Sequence, residues 1–291
     1  MMKGSIVALV TPMQPDGSID EQSLHQLVDW HLKEKTDGIV VVGTTGEASA
    51  LTEDEQYQVI SLVVDQVAHR IPVIAGTGSN NTQHTIHLTR NAQKAGADAA
   101  LIVTPYYVKP TQEGLFAHYK TISDNITLPI ILYNVPGRTA CDLLPETIKK
   151  LAVLPGIIGI KEATGKVNRV TTIRKQCGES FAIYSGDDAT ALDAMLQSAD
   201  GVISVTANLA PRKMHELCQA AFTGNEKRAN SLQTELLPLH EKLFLEGNPI
   251  PVKWAMHQLD LIPAGIRLPL SPLSTQFHAD VKNAMKMAGI L

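Results

Sequence analysis

Short apolar segments that alternate with stretches of helical periodicity dominate the chain up to residue 205. Eight such segments are found, at residues 5–10, 38–42, 72–75, 99–103, 130–134, 157–161, 182–185 and 201–205. Apolar positions between them recur at helical spacing, as in Leu24, Leu27 and Val28, and Pro, Gly, Asn and Ser mark the joins. Strands that alternate with helices predict a parallel sheet.

The number of these units selects the architecture. Eight strand–helix units within residues 1–210 fit an α/β protein with a (β/α)8 TIM barrel, which needs roughly 250 residues in all. The alternative, a doubly wound open sheet, is weakened because the first strand–helix turn carries no GxGxxG sequence. We expect the barrel core at residues 1–210, its last helix ending near residue 223, and a C-terminal helical region at 224–291. After residue 210 the sequence contains only helical segments, at 212–222, 226–245, 250–258 and 275–288; the first of them is the last helix of the barrel.

Composition excludes several classes of partner. The 291 residues have a net charge of −4 and no basic cluster, which argues against nucleic acid. The apolar run at residues 6–10 is too short for a signal sequence, and no run reaches the length of a membrane span. We therefore expect a soluble, cytoplasmic protein. Three cysteines and ten histidines lack the spacing of a disulfide framework or a metal site, so we expect no metal.

One lysine stands at the end of a buried strand. Residues 157–161 read Ile-Ile-Gly-Ile-Lys, and strand alternation puts Ile157, Gly159 and Lys161 on one face and Ile158 and Ile160 on the other. Lys161 could extend its ammonium to water along an apolar surface. It could instead be a desolvated amine that attacks a carbonyl in its neutral form.

The residues that follow the strands favour the second interpretation. In a barrel the chemistry lies at the carboxyl ends of the strands, and these positions are rich in hydroxyl groups, Gly and Tyr but poor in His and carboxylate pairs. The turn GTTGE, residues 43–47, could bind a carboxylate through its amides and the Thr44 and Thr45 hydroxyls. It could also be an ordinary turn in which Glu47 serves the first turn of the next helix.

Aromatic and charged residues near other strand ends are further candidates. Tyr133 lies two residues after Ile131 in the same strand, so both side chains should point to the inner face. The adjacent Tyr106 and Tyr107 cannot both face one core, so one of them could reach a partner subunit. Arg138 could bind a substrate carboxylate or lie free in solvent.

Two aspartates follow the seventh apolar segment. Asp187 and Asp188 could line a substrate site, but we interpret one of them as the cap of the helix that begins near Ala189.

Taken together, the motifs resemble the pyruvate-dependent class I aldolase family that includes N-acetylneuraminate lyase. The matching stretches, in order, are GSIVALVTPM, GTTGE, PVIAGTG, TPYY, LYNVPGRT, IIGIKEATG, SGDD, GVISVTAN and NPIPVKW. The resemblance runs from about residue 4 to residue 291, and the spacing between the motifs agrees as well as the motifs themselves.

The resemblance implies a reaction between pyruvate and aspartate 4-semialdehyde on the route to diaminopimelate and lysine. It requires no cofactor, because Lys161 forms a covalent Schiff base with pyruvate. It implies a proton relay of Tyr133, Thr44 and Tyr107, with Tyr107 supplied across a dimer interface, and a homotetramer built as a dimer of dimers. Substrate contacts would come from Thr45, Arg138, Gly186 and Ile203.

An effector site for lysine is the one place where the chain departs from the family. Lysine-inhibited members bind lysine at the dimer interface; the corresponding residues here are Ser49, Glu53, Gln56, Asn80, His84 and Tyr106. Glu53 and Gln56 stand where His is common, and His84 stands where Glu is common. The carboxylate that would pair with the lysine α-amine is displaced or lost, so we expect weak or absent inhibition by lysine.

Two other functions stay open from the sequence. A sialic or other 2-keto sugar acid would need polar groups for its long polyol chain where Arg138 stands. A non-catalytic barrel that acts as a regulator or scaffold is not favoured, because Lys161 and Tyr133 are both present.

Overall fold

The computed structural model describes residues 2–291 and contains a closed barrel of eight parallel strands. The strands are β1 Gly4–Ala8, β2 Gly38–Val41, β3 Val73–Gly76, β4 Ala99–Val103, β5 Ile130–Asn134, β6 Ile157–Glu162, β7 Ala182–Ser185 and β8 Gly201–Ser204. They follow one another around the barrel in chain order, and β8 pairs with β1 to close it. The predicted (β/α)8 barrel is confirmed, and the open sheet is excluded.

Helices surround the barrel and continue beyond it. They are α1 Glu21–Lys33, α2 Glu53–Val67, α3 Thr82–Lys94, α4 Gln112–Asn125, α5 Pro136–Thr139, α6 Pro145–Leu151, α7 Asn168–Cys177, α8 Ala191–Leu196, α9 Pro211–Phe222, α10 Glu226–Lys242, α11 Ile250–His257 and α12 His278–Met287. The four helices predicted after residue 210 are present, with ends shifted by up to three residues. The short helix α5 is an element for which the sequence analysis made no prediction. No helix within residues 2–291 has the length and apolar character needed to cross a membrane.

Side chains of the strands sort into two apolar layers. The inner layer fills the barrel and includes Ile6, Val40, Ile74, Ile131 and Tyr133. The outer layer lies between the strands and the helices. Both faces of every strand are therefore buried, which is why the strands read as continuous apolar runs.

The alternation predicted for β6 is wrong at its beginning. The pairing of β5 with β6 shifts register between Ile130 and Ile131. As a result Ile157 joins Ile160 in the outer layer, while Ile158 packs against the inner one. A register shift of this kind changes the face of the sheet to which the preceding side chains point. The parity of Gly159 and Lys161 is unaffected, and Lys161 lies beside the inward-facing Tyr133 in the register.

The C-terminal region packs on the barrel through its own helices. α10 lies against α9 and α12, and α11 lies close to the short turn that follows β8. The guanidinium of Arg267 donates to the Gly17 and Ala50 carbonyls at 2.8 Å and to both oxygens of Glu55. The boundary proposed near residue 223 falls in the turn between α9 and α10.

Candidate active site

Lys161 is a buried amine at the carboxyl end of β6. Only 6% of its surface is exposed, and its Nζ lies 4.5 Å from the centroid of the Tyr133 ring. Burial lowers the pKa of Lys161 to about 8, with Arg138 acting in the same direction and the carboxylate of Asp188 opposing both. About a tenth of this amine is therefore uncharged at pH 7, a much larger fraction than for an ordinary lysine, whose pKa is about 10.4.

Gly186 makes room for the lysine side chain. A Cβ at this position would lie 2.6 Å from Ala163 Cβ and 2.9 Å from Lys161 Cε. Separations this short would force the lysine or its neighbour to move. The glycine after β7 is thus required by the close approach of Lys161, which gives a physical reason for a residue that the resemblance had only implied.

Tyr133 presents a neutral phenol to the same space. It is 7% exposed, and burial raises the pKa of its hydroxyl, while the charge of Arg138 and the side chain of Thr44 act in the opposite direction. Such a phenol can give up or receive a proton when a charged group develops beside it. Thr44 is exposed, at the start of the turn after β2.

Thr45 and Glu47 hold the GTTGE turn to distant parts of the chain. Thr45 is buried and its Oγ1 accepts a hydrogen bond of 3.0 Å from Asn248 Nδ2. Glu47 is also buried and forms an ion pair with Lys253 of α11. The interpretation of Glu47 as a first-turn acid of the next helix is therefore wrong, because that carboxylate faces the C-terminal region.

Arg138 and Ile203 are the remaining substrate-binding candidates. Arg138 is exposed in the short helix α5, and its charge acts on the pKa of both Lys161 and Tyr133. Ile203 lies on β8 in the inner layer and is 1% exposed. The structure thus brings Lys161, Tyr133, Thr44, Gly186 and Arg138 to one end of the barrel.

Tyr106 and Tyr107 are not buried in the cluster around Lys161. Tyr107 is 86% exposed and adopts a φ of 74°, and Tyr106 is 40% exposed. Positive φ is uncommon for a bulky residue. The Tyr107 side chain is therefore almost entirely unpacked within its own chain.

Asp187 and Asp188 have roles that the sequence did not predict. The N-cap of α8 is Thr190, so the capping role proposed for one of the two aspartates is wrong. Asp187 instead accepts hydrogen bonds from the Thr190 amide and hydroxyl. Asp188 is 2% exposed, and its Oδ2 accepts from the amides of Val205 and Thr206, at 2.9 Å each. It fixes the backbone after β8 and places a negative charge near Lys161.

The predicted effector residues lie on three neighbouring segments. Ser49 is in a single 3-10 turn before α2, which contributes Glu53 and Gln56; Asn80 precedes α3, which contributes His84; and Tyr106 follows β4. Glu53 contacts His87 at 2.9 Å and His84 at 3.5 Å. Gln56 Nε2 donates to the Ala48 carbonyl at 3.0 Å.

Within residues 2–291 no three or more His, Cys, Asp or Glu side chains are grouped so that they could hold a metal ion. The three cysteines are free thiols.

The fold and this site define a class of protein: a (β/α)8 barrel with an amine of lowered pKa at the carboxyl end of its strands. The chain belongs to the dihydrodipicolinate synthetase family, whose model matches residues 1–288.

Individual relatives agree with this assignment. The 4-hydroxy-tetrahydrodipicolinate synthase of Methylococcus capsulatus is 56% identical over the full length of both chains. The crystal structure of chloride-inhibited dihydrodipicolinate synthase from Acinetobacter baumannii, complexed with pyruvate, is 53% identical and covers both chains fully with a TM-score of 0.98. A dihydrodipicolinate synthase from Cyanidioschyzon merolae with lysine bound is 36% identical, covers 100% of this chain and 99% of its own, and has a TM-score of 0.96.

The lowered pKa of Lys161 predicts how its reactivity depends on pH. Trace acetylation with acetic anhydride, followed by mass spectrometry of the Lys161 peptide, should increase with pH through a midpoint of about 8, because only the neutral amine reacts. The exposed Lys175 is the internal reference for the reagent. A midpoint above about 10, the value of an ordinary lysine, would contradict the description of a desolvated amine.

Proposed function

We propose that this protein condenses pyruvate with aspartate 4-semialdehyde to give 4-hydroxy-tetrahydrodipicolinate, in the cytoplasm, on the route to diaminopimelate and lysine. The observation that carries the proposal is the buried amine of Lys161, whose pKa is lowered to about 8 and which lies against Tyr133. Membership of the family and the names of the full-length relatives support the choice of reaction.

The first step joins pyruvate to the enzyme. The neutral amine of Lys161 attacks the C2 carbonyl of pyruvate, and loss of water from the carbinolamine leaves an iminium. The pyruvate carboxylate would lie on the turn of Thr44 and Thr45, where amides and hydroxyls can donate to it. The departing oxygen leaves as water with two protons: one comes from the attacking nitrogen, and the other must be donated. Tyr133, whose ring centroid lies 4.5 Å from Lys161 Nζ, can donate it.

The second step forms the carbon–carbon bond. The iminium makes the pyruvate methyl group acidic, and loss of a proton from it gives an enamine. The enamine carbon attacks the aldehyde carbon of the semialdehyde, whose oxygen takes up a proton and becomes the 4-hydroxyl group. Arg138 would bind the carboxylate of that substrate at the entrance. The α-amine of the semialdehyde then attacks the iminium carbon. This attack closes the ring and releases Lys161, and it needs no cofactor.

The relay requires a second copy of the chain. Tyr133 and Thr44 lie at the site of their own chain, whereas Tyr107 is 86% exposed. We assign Tyr107 to the site of a neighbouring copy, as part of a homotetramer made of two tight dimers.

Turnover assays with the purified protein test this proposal. Pyruvate consumption should occur with aspartate 4-semialdehyde but not with N-acetylmannosamine or other sugar aldehydes. Lys161→Ala should lower kcat by several orders of magnitude, because no other group can form the iminium. Lys166→Ala, which changes an exposed lysine of the loop after β6, is the matched control and should keep wild-type activity. Turnover with the sugar aldehydes alone would overturn the substrate assignment and leave the iminium chemistry standing.

Weak inhibition by lysine is the second part of the proposal. In the region where the relatives' effector residues would lie, Glu53 already contacts His84 and His87, and the Gln56 amide is used by the Ala48 carbonyl. The α-ammonium of a bound lysine would have to compete with these contacts. It would also lack an ion-pair partner at position 84, where the chain has His in place of Glu.

A lysine titration at fixed, near-KM pyruvate checks this expectation. The rate should stay close to its uninhibited value up to submillimolar lysine. Restoring the acidic group with His84→Glu, together with Glu53→His, should increase the sensitivity to lysine. Strong inhibition of the unaltered enzyme at submillimolar lysine would contradict the proposal.

A further inference from the structure

The GTTGE turn is held in an unusual backbone conformation at both ends. Val42 before it has a φ of 53° and Glu47 at its end a φ of 56°. Left-handed backbone is rare for a β-branched residue such as Val42, and a residue held in it destabilises the chain unless surrounding contacts fix that conformation. Gly76 permits the first of these conformations, since a Cβ there would lie 2.2 Å from the Val42 carbonyl oxygen. The turn therefore needs external contacts to keep its shape.

One such contact comes from the segment before α11. Asn248 is 5% exposed, and its Nδ2 donates to Thr45 Oγ1 at 3.0 Å across 203 residues of sequence. The bond fixes the rotamer of a threonine whose hydroxyl would otherwise be free to rotate. Asn248 makes no other side-chain hydrogen bond within residues 2–291, and its Oδ1 is buried without a partner.

A buried ion pair supplies the second contact. Lys253 of α11 is 4% exposed and pairs with Oε1 of Glu47, while its Nζ also donates to the Thr11 carbonyl at 3.0 Å. The other carboxylate oxygen of Glu47 accepts from the Arg267 amide at 3.1 Å. Thr11 in turn donates its hydroxyl to the Gly46 carbonyl at 2.7 Å. Groups from the segment after β1, from the turn and from the C-terminal region thus surround the charges of Glu47 and Lys253.

We propose that Asn248, Glu47 and Lys253 are positioning residues for the substrate carboxylate. They belong to the C-terminal region and to the end of the turn, and they act by holding Thr44 and Thr45 in the conformation that receives pyruvate. The affinity for pyruvate therefore depends partly on the C-terminal region, which lies outside the eight strand–helix units. This inference rests on the proposed function, because it assumes that the turn binds the pyruvate carboxylate.

The choice of variants follows from the burial of the pair. Removal of one partner leaves the other charge buried and unpaired, which destabilises a protein strongly, whereas removal of both is often tolerated. The test therefore uses the double variant Glu47→Gln/Lys253→Met and, separately, Asn248→Leu, which removes the amide donor at similar size. Glu216→Gln/Arg228→Met is the matched control, since that ion pair joins α9 and α10 at the surface with both side chains at least 40% exposed.

The readout is the pyruvate concentration that half-saturates formation of the borohydride-trapped adduct, measured beside the KM for each substrate. In Asn248→Leu and in the double variant we expect the half-saturating pyruvate concentration to rise about tenfold, while the KM for the semialdehyde changes less than about twofold. The control pair should change neither value. If the double variant does not fold, Asn248→Leu decides alone.

Two results would overturn the inference. One is an unchanged half-saturating pyruvate concentration in variants that keep the far-UV circular dichroism and thermal unfolding of the parent. The other is an equal increase for both substrates, which indicates general loosening of the site. Absence of any trapped adduct in the unaltered enzyme would instead be a failure of the proposed function itself.

Discussion

Closure of eight parallel strands is the constraint on which the rest of this structure depends. All neighbouring strands are parallel and β8 pairs with β1, so the residues that follow all eight strands meet at one end of the barrel. The inner face is filled by apolar side chains such as Ile6, Val40 and Ile203. An amine that points inward at the end of β6 is consequently removed from water, whereas the same residue on an outer helix would stay solvated.

The chemistry follows from the balance of charges around that amine. Burial lowers the pKa of Lys161, Arg138 adds to this, and the buried carboxylate of Asp188 limits the effect so that the pKa is about 8. A stronger desolvation would also penalise the proposed iminium, which would carry a positive charge in the same place. Asp188 favours the resting ammonium and would favour that intermediate, while the amides of Val205 and Thr206 donate to its carboxylate and fix where its charge lies.

Much of this arrangement can be predicted from the sequence, because it depends on local pattern. Apolar runs and helical periodicity predict the barrel, and strand parity places Tyr133 inside it. Other features depend on contacts between distant residues and leave no local signal. The irregular register of β6 is set by its pairing with β5, and the Glu47–Lys253 pair joins positions 206 residues apart. A lysine within the apolar helix segment IPVKWAM is the one hint of a buried partner that the sequence offers.

The covalent bond between Lys161 and pyruvate is the central claim, and its direct test is to locate it. The enzyme is incubated with pyruvate alone, reduced with borohydride, digested and examined by mass spectrometry. We expect a reduced pyruvate adduct on the peptide that contains Lys161 and on no other lysine. An adduct on Lys253, which is also buried, or no adduct at saturating pyruvate would contradict it.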